Sequence, residues 1–205
     1  MDRGKDDSED DFPRERRDEL VRRDPAALAL FFDIYFPRLY RYVKSLVKDQ
    51  HLAEDLTQDV FLQLHRGFAT YDPTRDLRPW VFAVAVNRVR DHWRSRAGKQ
   101  WGLSFERDGE DEQRDVVDPS PGPLEPLLAA EDAAAIREAV DALPEAYRET
   151  LYLRVFEDLS FEEIGRVVGR NEVAIRKRFS RAMNELRRRL SGLQGSQSSS
   201  DERST

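Results

Sequence analysis

Ser160 and Glu163 stand three residues apart at the head of the stretch 160–190, SFEEIGRVVGRNEVAIRKRFSRAMNELRRRL, and that spacing fixes where a helix must begin. In such a capping box each side chain satisfies the other residue's otherwise unpaired backbone N–H, so a helix is expected from Phe161. Phe161, Ile164, Val167 and Val168 recur at helical spacing, and Gly169 then supplies the residue that tolerates a left-handed C-terminal turn. Asn171 is a good N-cap for a second helix whose apolar stripe is Ile175, Phe179, Ala182, Leu186 and Leu190. Arg176, Lys177, Ser180 and Arg181 share another side of it. A lone solvated surface helix would also combine an apolar stripe with cations. A capped short helix, a glycine turn and a capped long helix with an outward basic face together predict a helix-turn-helix, whose second helix enters a major groove.

The net charge of −6 argues, taken alone, against nucleic-acid binding, but the charge is unevenly spread. Between 160 and 190 nine cations face four acids, a balance of +5; between 104 and 132 ten acids face two arginines, a balance of −8. The acidity therefore sits mainly in a connecting segment and leaves a DNA-binding face open. Hydrophobic residues make up 39% of the 205, enough for modest cores rather than one large one. No apolar run reaches the length of a membrane span, the acidic opening residues lack a signal-peptide pattern, and charged residues reach 36%. A soluble cytoplasmic protein without membrane insertion is expected. With no cysteine, disulfides, thiolate zinc sites and thiol redox sensing are excluded.

Taken in order, residues 1–24 mix acids and bases with few apolar side chains and read as a disordered or loosely helical tail. Asp24-Pro25 is a cap followed by proline at the first helical position, and a strongly apolar helix follows until Pro37, which is expected to end or kink it. Leu39, Tyr42, Val43 and Leu46 mark a second run, and Leu52, Leu56, Val60 and Leu64 a third, with Glu54, Asp55, Gln58 and Asp59 on its exposed side. Residues 67–77 have the turn chemistry of a loop yet carry Phe68 and Tyr71. The segment after Pro79 is too long for a typical strand, keeps its arginines to its second half and is expected to be helical; Trp80 and Trp93 there suit core positions, and Asn87 an internal hydrogen bond, as well as any functional role. Residues 98–130 combine acids with Ser-Pro-Gly-Pro and read as a flexible linker. Two helices split by Pro144 should pack under the helix-turn-helix through Ile136, Val140, Leu143, Leu151, Leu153 and Val155, completing a domain at 131–191; residues 192–205 read as a disordered tail.

Nothing in the sequence supports catalysis. His51, His65 and His92 lack metal-ligand spacing, the acidic linker lacks the glycine and terminal glutamate of a calcium loop, and no phosphate-cradling glycine motif occurs. No catalytic residue, metal or cofactor is expected.

The run Ala53-Glu54-Asp55-Leu56-Thr57-Gln58-Asp59-Val60-Phe61, then Pro79-Trp80-Val81-Phe82 with Asn87 and Asp91, then residues 159–182, resembles the two blocks of an extracytoplasmic function sigma factor. The resemblance covers about 25–96 and 131–190. It implies an all-α protein of two helical domains, region two at 25–97 and region four at 131–191, joined by the acidic linker. Region two of such proteins binds the clamp helices of bacterial core RNA polymerase and opens the minus-ten element; region four reads the minus-thirty-five element. On this likeness Asp55, Gln58, Asp59 and Phe61 match the polymerase-binding helix, and acidic side chains opposite an apolar stripe do suit a basic partner helix. Trp80, Asn87 and Arg88 fall in the melting segment, and the loop with Phe68 and Tyr71 matches the one that captures a flipped base, chemistry that calls for aromatic faces, an amide and cations. Arg176, Lys177, Arg178, Ser180 and Arg181 match the minus-thirty-five reading positions, whereas Val173-Ala174 stands where many members have Gly-Thr. The likeness also implies an anti-sigma factor as a partner, and an acidic linker that threads the polymerase's RNA path; a solvated tether has the same composition.

The chain is thus expected to be a sigma factor directing polymerase to promoters. The rivals are a helix-turn-helix regulator that is not a polymerase subunit and a protein-binding helical adaptor. Co-purification with core polymerase separates the first from a sigma factor, and promoter recognition by the reconstituted complex the second.

Overall fold

The computed structural model describes residues 11–97 and 133–201, and the chain divides into two compact helical units, each drawn mainly from one half. The expected acidic linker lies outside the described residues. Among these residues there are eight α-helices: α1 (Arg17–Val21), α2 (Pro25–Val47), α3 (Gln50–Gly67) and α4 (Leu77–Ala97) in the N-terminal unit, then α5 (Ala133–Asp141), α6 (Glu145–Val155), α7 (Phe161–Val168) and α8 (Glu172–Asp201).

Asp24 starts α2 by accepting from the N–H groups of Ala26 and Ala27, both at 3.0 Å, with Pro25 at the first helical position. Phe31, Tyr35, Leu39, Tyr42, Val43 and Leu46 then recur every three or four residues and are all buried. Pro37 does not end the helix, one of the two effects expected of it. It sits on the exposed side of α2, where solvent can take over the carbonyl it leaves unpaired, while the apolar stripe runs past it on the other side. Asp49 caps α3 through the Leu52 N–H at 2.9 Å, and Ala53, Leu56, Val60 and Leu64 bury its inner face. Helix α4 contributes Leu77, Val81, Phe82, Ala85, Val86 and Val89, all essentially buried, which confirms the helical reading of that β-branched run.

The tail expectation is corrected from Asp11 onward, residues 1–10 lying outside the described residues. Phe12 and Leu20 are fully buried, and Arg14–Arg16 and α1 form helical turns ahead of α2. Two well-placed apolar side chains among many charges are enough to anchor a short segment, and composition averages hide them.

In the C-terminal unit the capping box is complete: Ser160 N–H donates to Glu163 at 2.8 Å and Glu163 N–H to the Ser160 hydroxyl at 3.2 Å. Gly169 adopts the left-handed conformation at φ 72°, and Asn171 caps α8 through the Ala174 N–H at 2.7 Å. Leu143, Leu151, Phe179, Ala182 and Met183 form the core, flanked by Tyr147, Val155 and Phe161. Of the expected core residues Leu153 is also buried, while Ile136, Val140 and Val155 are half-buried. Buried Arg148 donates to the carbonyls of Asp141 and Leu143 at 2.9 and 2.7 Å, satisfying the C-terminal end of α5. The backbone of α8 continues helical to Asp201 through residues expected to be disordered; extending a nucleated helix costs little per residue even through serine.

Gly165 was not singled out in the sequence. A Cβ there would lie 2.6 Å from the Arg170 carbonyl oxygen, because the turn folds back over α7. Gly165→Ala should therefore destabilise the C-terminal unit by roughly 1–3 kcal/mol through overpacking against backbone. Gly169→Ala, strained only by its φ, should cost about 1 kcal/mol. Hydrogen exchange at α7 and α8 amides measures both.

Candidate functional site

Three surfaces carry the expected residues, each within one unit. On α3 the apolar stripe turns Asp55 and Gln58 fully outward. Asp59 is different: it is only half-exposed and pairs with Arg88 of α4, whose Nε donates at 3.1 Å. Asp59 and Arg88 thus link α3 to α4, so each already has a partner within the unit. Phe61 is half-buried beneath Phe32 and Phe36 of α2, at ring distances of 5.0 and 5.9 Å. Phe32 and Leu62 remain 46% and 55% exposed, so an apolar patch borders the polar face.

The second surface is the turn between α3 and α4. Phe68 and Tyr71, expected to offer stacking faces, are both buried in this structure. Phe68 packs edge-on to Phe31 at 5.0 Å, and Trp80 lies 5.5 Å from Phe68 and 4.9 Å from Tyr71, close over Gly67. A loop this short brings its aromatics onto the core, where burial outweighs the cost of ordering them. The Tyr71 hydroxyl donates to the Arg75 carbonyl at 2.6 Å. What the turn does expose is Asp72, Thr74 and Arg75, with Asp72 accepting from the Thr74 N–H at 3.0 Å and from its hydroxyl. Asn87 is exposed on α4, and Trp80 is half-buried.

The third surface is the first half of α8. Arg176 is exposed but engaged, donating to Glu172 and lying 4.9 Å over the Phe161 ring. Arg178 is buried, and Ser180 is half-buried with its hydroxyl shielded from solvent, so neither presents itself outward. Both flank Phe179, and one helical step of 100° carries a neighbour of a core residue only part of the way round. Arg181 is half-buried in a cleft with Pro144, Tyr147, Asn184, Glu185, Arg188 and Arg189. The fully outward stripe is Val173, Lys177 and Asn184, spaced i, i+4, i+11. Val173 and Asn184 were missed, although counting from the core stripe locates them. Among the described residues no group of His, Asp and Glu could hold a metal ion, and no helix is long and apolar enough to cross a membrane.

Burial raises the Tyr71 hydroxyl to about 12 from its ordinary 10.0, opposed in part by the Arg17 charge and reinforced by Asp76, Asp72 and Asp11. A hydroxyl that keeps its proton longer in the fold than in the unfolded chain supports stability fully below pH 10.0, and that support is lost as pH rises to about 12. Tyr71→Phe should flatten the alkaline fall in melting temperature across that window, as thermal melts of both proteins over a pH series will measure.

Residues 31–99 match the Sigma-70 region 2 family and residues 133–186 the Sigma-70, region 4 family. The chain is 33% identical over 177 residues to the ECF RNA polymerase sigma factor BldN of Streptomyces coelicolor, covering 84% of this chain and 65% of that protein. It is 28% identical to the ECF RNA polymerase sigma factor SigM of Bacillus subtilis, over 76% of this chain and 90% of the relative. The sigma factor RpoE of Bartonella quintana, solved in complex with the anti-sigma factor NepR, shares the fold at a TM-score of 0.57 and 22% identity, over 80% of this chain and 96% of that one. Two matched regions in the same order, on two helical units whose cores and caps accord with them, lead to one conclusion: the chain belongs to the extracytoplasmic function group of the sigma-70 family of RNA polymerase sigma factors.

Proposed function

We propose that this chain joins bacterial core RNA polymerase in the cytoplasm, brings it to a subset of promoters and helps to open them, with no catalysis of its own. The observation that carries the reading is the pairing of two outward faces: Asp55 and Gln58 beside the Phe32 and Leu62 patch in the N-terminal unit, and the Val173, Lys177 and Asn184 stripe on α8 in the other. The first suits a basic helical partner with some apolar contact, the second a major groove. An anti-sigma factor is the proposed restraining partner, on the strength of the family.

In this reading Asp55 and Gln58 meet the polymerase, while Asp59 and Phe61 support their helix from behind. The exposed rim of the turn, Asp72 to Arg75, and Asn87 face the minus-ten strand; Phe68, Tyr71 and Trp80 form a rigid floor, and an opened base stacks there only if Trp80 or Tyr71 swings out. On α8, Lys177 and Arg176 approach phosphate or base edges. Val173, 62% exposed near the helix start, offers an apolar contact of the kind that recognises a thymine methyl group. Arg178 stays inside.

The double variant Asp55→Ala, Gln58→Ala should keep its helical circular dichroism and weaken holoenzyme assembly by roughly 1–3 kcal/mol, read by competition for core polymerase. Normal competition would remove this face from the proposal.

For α8, holoenzyme binding to duplexes carrying the mapped minus-thirty-five sequence tests two roles. Lys177→Ala should reduce the salt dependence by about one counterion. Val173→Ala should abolish any preference for thymine over uracil at one position, since the two bases differ only by the methyl group. A preference that survives in Val173→Ala would assign the methyl contact to another residue.

A further inference from the structure

The residues ahead of α2 have no place in these surfaces, yet they are firmly tied to the turn that presents Asp72, Thr74 and Arg75. Asp11 uses both carboxylate oxygens: one accepts from the Tyr35 hydroxyl, the other from Arg78 in the first turn of α4 at 3.1 Å. Phe12 is buried beside Phe31, with ring centroids 6.3 Å apart. Arg14 pairs with Asp76 at 3.3 Å. Arg17 is 4% exposed and donates to the Arg75 carbonyl at 2.9 Å, the same oxygen that accepts from Tyr71.

The convergence on Arg75 is specific. Its carbonyl takes two donors, one of them charged, while its own side chain remains 81% exposed. A buried guanidinium is a costly way to fill space, since a packed apolar side chain would support α1 without desolvating a charge. What the guanidinium adds is direction: a charge-assisted bond to one named carbonyl fixes the backbone from which Arg75 projects. A loop held in its binding conformation beforehand loses less freedom when its ligand arrives.

We infer that residues 11–21 form a strap that holds the 72–76 turn in its promoter-reading conformation, with Arg17 as its main positioning residue and Asp11 as its clasp on α4. The inference rests on the reading of that turn as a minus-ten contact. Arg17 touches no DNA; it sets the aim of residues that do.

The test uses holoenzyme reconstituted from the full chain and core polymerase. The probes are a single-stranded oligonucleotide with the non-template minus-ten sequence of a mapped promoter and a scrambled oligonucleotide. The readout is the ratio of the two affinities, with affinity for core polymerase measured alongside. If wild-type holoenzyme does not discriminate between the probes, the minus-ten reading itself fails, and the inference with it. If it does, Arg17→Met should lower the ratio about tenfold at unchanged core affinity. Arg17→Lys, which keeps a charged donor, should recover most of it. An unchanged ratio in Arg17→Met overturns the strap, as does a ratio as low in Arg17→Lys as in Arg17→Met, or a loss of core affinity in parallel, which would make Arg17 plain support for the fold. Should Arg17→Met fail to fold, Asp11→Asn decides. It keeps an oxygen for Tyr35 but removes the charge facing Arg78; a severalfold lower ratio supports the strap and an unchanged one overturns it.

Discussion

Four helices, α2, α3, α7 and α8, meet one physical requirement in the same way: the first N–H groups of a helix have no partner within it, and something must accept from them. Asp24, Asp49, Ser160 and Asn171 each place a side-chain oxygen there, at distances between 2.7 and 3.2 Å. Because the connections are short, a cap does more than stabilise its helix. It fixes the residue at which each helix begins and so the direction in which the chain enters it. Within α8 the buried stripe of Ile175, Phe179 and Ala182 then decides that Lys177 points to solvent.

That dependence explains what could be read from the sequence. Caps and stripes are local patterns, so the all-α architecture, the complete capping box, the left-handed Gly169 and the helical state of α4 were all legible. The exceptions share a cause. Phe12, Arg17 and Asp11 act through partners at Phe31, Arg75 and Arg78, far away in sequence, and a window dominated by charges gives no sign of them. That Pro37 leaves α2 unended follows from the side of the helix it occupies, a matter settled by the stripe around it rather than by proline itself.

The candidate surfaces were legible only in part, for a related reason. A family motif marks positions, but not which neighbour has already claimed them. Asp55 and Gln58 stand free where the pattern puts them, whereas Asp59, one turn from Asp55, is committed to Arg88. Likewise the arginines of α8 look equivalent as letters and differ in the fold: Arg176 rests over Phe161 and Arg178 is interior. Aromatics in a polar loop invited a functional reading, yet a turn held so tightly between α3 and α4 brings Phe68 and Tyr71 to the core, where they stiffen what the loop exposes.

Charge shows the same difference between composition and placement. Setting aside the −8 of residues 104–132, the rest of a chain whose net charge is −6 carries +2, and 160–190 alone carries +5. At physiological ionic strength charges separated by much more than about 8 Å are largely screened from one another, so a groove approaching α8 responds to Lys177, Arg176 and their neighbours rather than to the total. Several of those cations are already half-neutralised within the helix: Glu172 holds Arg176, and Glu185 holds Arg188 and Arg189. The Glu172–Arg176 pair is exposed and individually weak, so a phosphate can displace that glutamate at small cost. The helix can therefore stay folded and modestly charged in free solution while still delivering its cations to a polyanion.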